Sequence, residues 1–317
     1  MNVLVTGANG FVGSRMVKRL SDAGHNVRAG YGADAQGAAR DEATGSNGAV
    51  RWVPLDVTDL ATVARFVSER CDALVHLAGM ASVRQANADP LAAWAVNAQG
   101  AAQVAAALAL ARDATGSDPL LLVVSSAEVY TPASDRPHRE TDPVSPGSPY
   151  AASKLGAELA ALQTWRSMGL RVIIARPFPH IGRGQAADFW VARRCRVLVE
   201  AKRRGAPAVT VGELGPVRDF LHVDDVVDAY MALLTHGQAG EIYNIASGCG
   251  VTLATVHAKL EELIGIHPVH EQDAGEMRPD ARPYLVGDAT KLRGATGWEP
   301  RRSLDETLKE VVDAQTH

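Results

Sequence analysis

The sequence predicts a doubly wound α/β protein: a parallel sheet buried between layers of helices, with a smaller lobe added in the second half. Three observations predict it. Short β-branched apolar runs alternate with longer helical stretches, the rhythm of repeated strand–helix–strand units. Runs such as Leu120-Leu121-Leu122-Val123-Val124 are apolar at every position, as strands covered on both faces must be. A glycine-rich turn follows the first strand directly.

Taken in order, residues 2–6 read as a strand and 12–23 as a helix closed by Gly24. Further strands are expected at 26–30, 50–54, 73–77, 120–125 and 171–175, with helices at 59–69, 90–113 and 150–167. Residues 32–49 are rich in Gly, Ala and Asp and are expected to be a mobile loop. Residues 131–149 hold five prolines, too many for a helix. Past 177 the rhythm breaks into turn-rich segments (177–184, 212–216, 265–283), while 218–246 reads as a return to the sheet through the strand 242–245. The expected division is therefore a dinucleotide-binding Rossmann domain, 1–177 plus 218–247, and a smaller α/β substrate lobe, 178–217 plus 248–317.

The chain has 317 residues, and 32 basic against 36 acidic side chains give a net charge of −4. That balance gives no support to a nucleic-acid surface. Cys71, Cys195 and Cys249 are odd in number and lie far apart, which argues against a disulfide framework or a structural zinc site and for a reducing compartment. The most apolar helical stretch, 91–111, is mostly alanine and carries Asn97, Gln99 and Gln103, unlike a membrane span. No leader-like segment precedes the first strand, so the expected location is cytoplasmic.

Residues 6–14 read Thr6-Gly7-Ala8-Asn9-Gly10-Phe11-Val12-Gly13-Ser14. Glycines at this spacing permit a tight turn, close backbone approach to a pyrophosphate, and close packing of helix on strand. The helix start then offers free N–H groups to the anion. Gly7, Asn9, Gly10, Phe11, Val12 and Gly13 are thus candidate cofactor residues for NAD(P). An NAD site would end the second strand in an acid, but 25–32 contain none. Arg28 or Arg40 could meet a 2′-phosphate, or both could be solvated surface residues; the balance leans to NADP. Asp56, with Val57, could accept from an adenine amino group or simply cap the next helix.

Tyr150 and Lys154 stand one helical turn apart. Ser125, Ser126, Ala127 and Glu128 follow a buried strand and so fall at the sheet's carboxyl edge, where ligands bind in such folds. A phenol beside an ammonium group favours its anion; a shift of three units toward neutrality takes about 4 kcal/mol. Tyr150 could then exchange a proton with a carbonyl or carbinol oxygen while a nicotinamide exchanges hydride, with Ser126 holding the same oxygen. In isolation such a pair is more often a packed ring and a solvated charge; the glycine turn reverses that judgement. His76, His180 and His222 lack metal-ligand spacing, so no metal is expected.

The chain resembles the extended short-chain dehydrogenase/reductases, the NAD-dependent epimerase/dehydratase family acting on nucleotide sugars. The motifs that carry the resemblance are the glycine turn, Asp56-Val57, His76-Leu77-Ala78-Gly79, Asn97, Ser125-Ser126, Tyr150-x-x-x-Lys154, Arg176-Pro177-Phe178, Arg218-Asp219-Phe220 and Tyr243-Asn244-Ile245-Ala246-Ser247-Gly248. It implies Ser126, Tyr150 and Lys154 as a catalytic trio. Leu77, Ala78, Gly79, Asn97 and Pro177 join the cofactor site, and Ser82, Arg183, Arg218 and Arg278 the substrate site, with Arg218 on the diphosphate. The second half is most similar to GDP-4-keto-6-deoxy-D-mannose reductases, which form GDP-D-rhamnose. Three positions depart from the family pattern: Pro179, Arg183 and Thr131 replace asparagine, proline and glycine.

Two relatives of that activity stay open. Glu128 occupies the place of the glutamate of 4,6-dehydratases, but Ala127 stands where dTDP-sugar dehydratases carry aspartate; GDP-mannose dehydratases lack that aspartate too. A 4-epimerase would use the same trio. A non-catalytic NADP sensor is disfavoured because Ser126, Tyr150 and Lys154 are all intact. The alanine-rich helices 91–111 and 151–162 are more apolar than lone surface helices need, and a homodimer through them is expected.

Overall fold

The computed structural model describes residues 1–32, 49–132, 136–272 and 282–316. Six strands are β1 (Asn2–Thr6), β2 (Asn26–Tyr31), β3 (Val50–Pro54), β4 (Ala73–His76), β5 (Leu120–Val124) and β6 (Arg171–Pro177). With Ile242–Ile245 they form one seven-stranded parallel sheet in the order Ile242–Ile245, β6, β5, β4, β1, β2, β3. The chain winds outward from β1 to β3, then crosses back to place β4 on the other side of β1. A crevice therefore opens at the carboxyl ends of β1 and β4, the switch point at which such sheets bind ligands.

Uniformly apolar strands make sense here because the sheet has two dry faces. Val3, Val5, Val75, Leu122 and Ile173 pack on one face with the helices Phe11–Asp22 and Val223–His236; Leu4, Leu74, Leu121, Val123 and Ile174 pack on the other with Leu60–Val67, Gly100–Thr115 and Pro149–Met168. Alternate residues of one strand feed opposite cores. A third core, built on Ile181, Cys195, Leu198, Val256, Leu260 and Leu308, lies in the second half of the chain.

Two sequence expectations need correction. The helix 90–113 is not continuous: Pro90–Ala93 passes into a π-helical stretch, Trp94–Gln99, before Gly100–Thr115. A separate short helix, Val83–Ala88, precedes it. Residues 218–222 do not return to the large sheet, because Val217–Asp219 pairs with Gly250–Thr252 and Tyr284–Leu285, and Leu221–His222 pairs with His180–Ile181. Only the strand Ile242–Ile245 rejoins it, beside β6. The loop expected over 32–49 lies almost wholly outside the described residues, as do Arg40 and Arg278. Among the described residues no helix is long and apolar enough to cross a membrane.

Candidate active site

At the end of β1, Gly7 takes φ +64°, and a Cβ there would come within 2.7 Å of the Ala78 amide nitrogen. The glycine lets the loops after β1 and β4 touch. At Gly13 a Cβ would lie 2.0 Å from the Gly7 carbonyl oxygen, so helix and turn close on each other only with glycine there. Gly10 caps the helix Phe11–Asp22 without a side-chain acceptor, and the first turn contains no acid. The N–H groups of Phe11, Val12 and Gly13 thus face the crevice mouth as donors with a positive dipole end, the arrangement that holds a pyrophosphate. Ala8 N–H donates to Gly30 O at 2.9 Å and locks the turn to β2.

Thr6 joins the two crevice strands: its hydroxyl accepts from the Ala78 amide at 3.0 Å and lies 2.8 Å from His76 Nδ1. The hydroxyl thus links the loop after β4 to the buried His76 ring. Burial, helped by the nearby Lys154 charge, draws His76 down to about 3. Next along, Gly79 allows a close approach: a Cβ there would come within 2.8 Å of Asn97 Oδ1 and 3.2 Å of Lys154 Nζ. Asn97 is fixed beside it, accepting from Met80 N–H at 2.8 Å and donating to Met80 O at 3.1 Å and Ser153 Oγ at 2.9 Å.

Ser148 starts the helix Pro149–Met168 by accepting from Ala151 N–H at 3.1 Å, with Pro149 in the first turn. That start aims Tyr150 and Lys154 inward, and both are buried. Lys154 Nζ donates to Val124 O at 2.9 Å, the last residue of β5. Ser126 caps the short turn Ala127–Val129 and hydrogen-bonds Tyr150. Burial pushes the Tyr150 phenol up to about 12, with the Glu128 charge adding to the rise and the Ser126 bond opposing it. Burial also draws Lys154 down to about 8, against the pull of Glu158. The trio is thus assembled with a protonated phenol and an ammonium near its titration point.

Glu128 is not a free carboxylate. Its Oε2 lies 3.1 Å from Arg282 Nε, and Arg282 also donates to the carbonyls of Glu128, at 2.6 Å, and Tyr130. Arg218 donates to Arg282 O at 2.8 Å and to Val217 O at 2.9 Å, within reach of the Glu128 charge. The structure thus places Arg218 beside Arg282 and Glu128, and Arg282 is a residue of this group that sequence reasoning missed. No local spacing marks it, since its partners stand more than 150 residues away.

Other expected residues fall as follows. Asp56 Oδ1 accepts from the Thr58 amide and hydroxyl at 2.8 and 2.7 Å, holding the turn after β3, and Asp59 caps the following helix. Val57 packs on Gly100. Leu77 and Val12 flank the core beneath the crevice; Asn9 is partly exposed in the glycine turn. Pro177 ends β6 beside Ile245. Ser82 caps the helix Val83–Ala88, accepting from Gln85 N–H at 3.3 Å. Arg183 presents an exposed side chain from a backbone pinned by Glu310 and Arg15, near Phe11, which stacks on His180.

Arg28 is the correction. Its guanidinium donates to Phe66 O at 2.8 Å and pairs with Glu69, at the C-terminal end of Leu60–Val67. That helix runs back toward the amino edge of the sheet, so Arg28 is directed away from the cofactor edge. The group His257, Glu261 and His270, with ligand atoms all within 4.8 Å of one another, is polarised against a cation. Arg194 Nε donates to His257 Nδ1 at 3.2 Å, which leaves the ring proton on Nε2 and a guanidinium charge alongside.

The sheet, the glycine turn at its switch point and the buried Ser–Tyr–Lys group define an NAD(P)-dependent enzyme of the short-chain dehydrogenase type. Residues 3–246 match the model of the NAD dependent epimerase/dehydratase family, and the chain belongs to that family of enzymes modifying nucleotide sugars. It is 35% identical over 245 residues to the GDP-6-deoxy-D-mannose reductase of Pseudomonas aeruginosa, covering 76% of this chain and 79% of that one. Among solved structures it is similar to RMD from Pseudomonas aeruginosa complexed with NADPH, at TM-score 0.81 and 30% identity, covering 99% and 98% of the two chains. The UDP-glucose 4-epimerase of Thermus thermophilus in complex with NAD aligns at TM-score 0.85 and 28% identity over the same shares.

Proposed function

We propose that the protein reduces a nucleotide-linked 4-keto-6-deoxy sugar with NAD(P)H, in the manner of GDP-4-keto-6-deoxy-D-mannose going to GDP-D-rhamnose. The observation that carries this is geometric: Tyr150 and Lys154 are buried together beside Ser126 at the carboxyl edge of the sheet, and the nearby acid Glu128 is paired with Arg282. Reduction of a ketone needs a proton donor at the oxygen, a part the Tyr150 phenol can take. When bound, the reduced nicotinamide supplies the hydride to carbon 4. Tyr150 delivers the proton to the oxygen, Ser126 orients that oxygen, and Lys154 stabilises the phenolate left behind. The cofactor lies from the Gly7–Gly13 turn past Gly79 and Asn97, with residues 1–177 plus 223–247 holding it and 178–222 plus 248–317 the sugar nucleotide, because 217–222 pair outside the large sheet. Arg218 and Arg278 clamp the diphosphate, with Ser82 and Arg183 at the substrate's margins.

Glu128 supports reduction over dehydration. Loss of water across carbons 5 and 6 needs a carboxylate free to take and give a proton, and this one is paired with Arg282. Ala127 leaves no second acid beside it. NADPH is the favoured cofactor because β2 ends in Tyr31, followed by Gly32, with no carboxylate for a ribose 2′-hydroxyl; the Arg28 argument no longer contributes. A homodimer through the alanine-rich helices completes the reading.

The test follows nicotinamide absorbance with GDP-4-keto-6-deoxy-D-mannose and NADPH or NADH. Stoichiometric oxidation is expected, and Tyr150→Phe should lower kcat by about 10²–10⁴-fold while leaving cofactor affinity unchanged. No oxidation with either cofactor rules the reductase out, and bound NAD with epimerase or dehydratase turnover of unreduced sugars takes its place.

A further inference from the structure

The trio is assembled from two elements, the end of β5 for Ser126 and the start of Pro149–Met168 for Tyr150 and Lys154. Something must fix the gap between them. Lys154 Nζ to Val124 O is one tie. One turn further along the same helix, Glu158 is almost wholly buried, and its Oε1 accepts from the hydroxyl of Ser125, the residue next to Ser126. The same carboxylate is clamped bidentately by Arg176 of β6, Nε to Oε1 at 2.9 Å and Nη2 to Oε2 at 2.7 Å. Arg176 in turn lies over the Tyr130 ring, its Cζ 4.8 Å from the centroid, and the Tyr130 hydroxyl donates to Asn244 Oδ1 at 2.6 Å.

We infer that Ser125, Glu158 and Arg176 are positioning residues for the catalytic trio: the buried Glu158–Arg176 pair holds the Ser125 hydroxyl and thereby sets Ser126 against Tyr150. Stability alone is a weak reason for such a pair, since desolvating both charges offsets much of their attraction and apolar residues of similar volume often serve as well. Placement is the better reason. Val124 ends the strand and Ser125 follows it directly, and Lys154 and Glu158 are one turn apart on the helix, so the two ties make a rigid rung. Arg176 fixes the carboxylate's plane so that one oxygen is presented to Ser125. Glu158 also lends its charge to keep the Lys154 ammonium protonated.

This inference rests on the catalytic reading of Ser126, Tyr150 and Lys154, so the test separates the two. Glu158→Gln strips Arg176 of its counter-charge and is expected to harm folding; Ser125→Ala is the decisive variant. With GDP-4-keto-6-deoxy-D-mannose and NADPH it should lower kcat by about tenfold, with both KM values unchanged, as a displaced donor does. A merely structural role would reduce the folded fraction and leave kcat per folded enzyme intact. Wild-type kcat in Ser125→Ala, with Tyr150→Phe inactive, overturns the inference alone. Should the wild type fail to turn over this sugar, or Tyr150→Phe retain activity, the catalytic reading falls. The rung is then decided by a crystal structure of Ser125→Ala, in which Ser126 Oγ should move by about 0.5 Å or more relative to Tyr150 Oη. An unmoved Ser126 overturns it.

Discussion

Burial and function pull against each other at Lys154. Removed from water, its ammonium titrates at about 8, and the phenolate that forms during reduction needs that charge. Tyr150 stays protonated to about 12, so it sets no limb in the working range. The sign follows: below about 8 both groups carry their protons and the enzyme is competent; above it Lys154 loses its charge and the rate falls with pH. A profile of kcat/KM in the free enzyme should therefore decline on the alkaline side with a midpoint near 8. Lys154→Met should abolish most activity at every pH. A rate that holds level to pH 10 would show that the ammonium charge is not used. At this same scale the sequence was readable where the chemistry repeats locally, as in Tyr150-x-x-x-Lys154 and the glycine turn. It was silent on Arg282, whose partners Glu128 and Tyr130 meet it only through the fold, and misleading at Arg28, where a cation near the second strand end is taken by Glu69.

Among the elements, the π-helical stretch Trp94–Gln99 is the least expected. An alanine-rich run gives no signal for it, because a π turn differs from an α turn in its hydrogen-bond step rather than in its apolar spacing. Its consequence is the placement of Asn97, whose amide meets Met80 twice and Ser153 once. Those bonds hold the turn at Gly79-Met80 and the helix of Tyr150 at one distance. Asn97→Ala leaves the buried Met80 N–H and Ser153 without that partner, at a cost of about 1–3 kcal/mol for an unmet buried group. Urea unfolding should show a lower midpoint with an unchanged slope, and NADPH titrated by fluorescence should bind more weakly. A variant with both values at wild type would mean that the asparagine is a passenger. The strands of the large sheet, by contrast, were legible to within two residues, whereas short strands of the second half such as Ala208–Val211 and Val269–Gln272 carry too few apolar positions to be read.

Across the whole molecule, four exposed large apolar side chains come from one group of adjoining helices. Leu91 is 82% exposed, Leu110 63%, Leu159 59% and Trp94 46%, and they come from Pro90–Ala93, Trp94–Gln99, Gly100–Thr115 and Pro149–Met168, helices that pack side by side. Gly156 lets the Trp94 ring lie flat against the helix of Tyr150, since a Cβ there would come within 2.8 Å of it. A second copy brought to this face by a two-fold axis would bury the four side chains together and form a four-helix contact. Two-fold symmetry sharpens the test, because each substitution enters the interface twice. Leu159→Glu, on the far side of the helix from the buried trio, should convert a dimer to a monomer in sedimentation equilibrium without unfolding the chain. Activity of the monomer would then depend only on the helix keeping its place, so a dissociated but fully active variant is the expected result. A wild type that sediments as a single chain at micromolar concentration would mean that the face meets something other than its own copy.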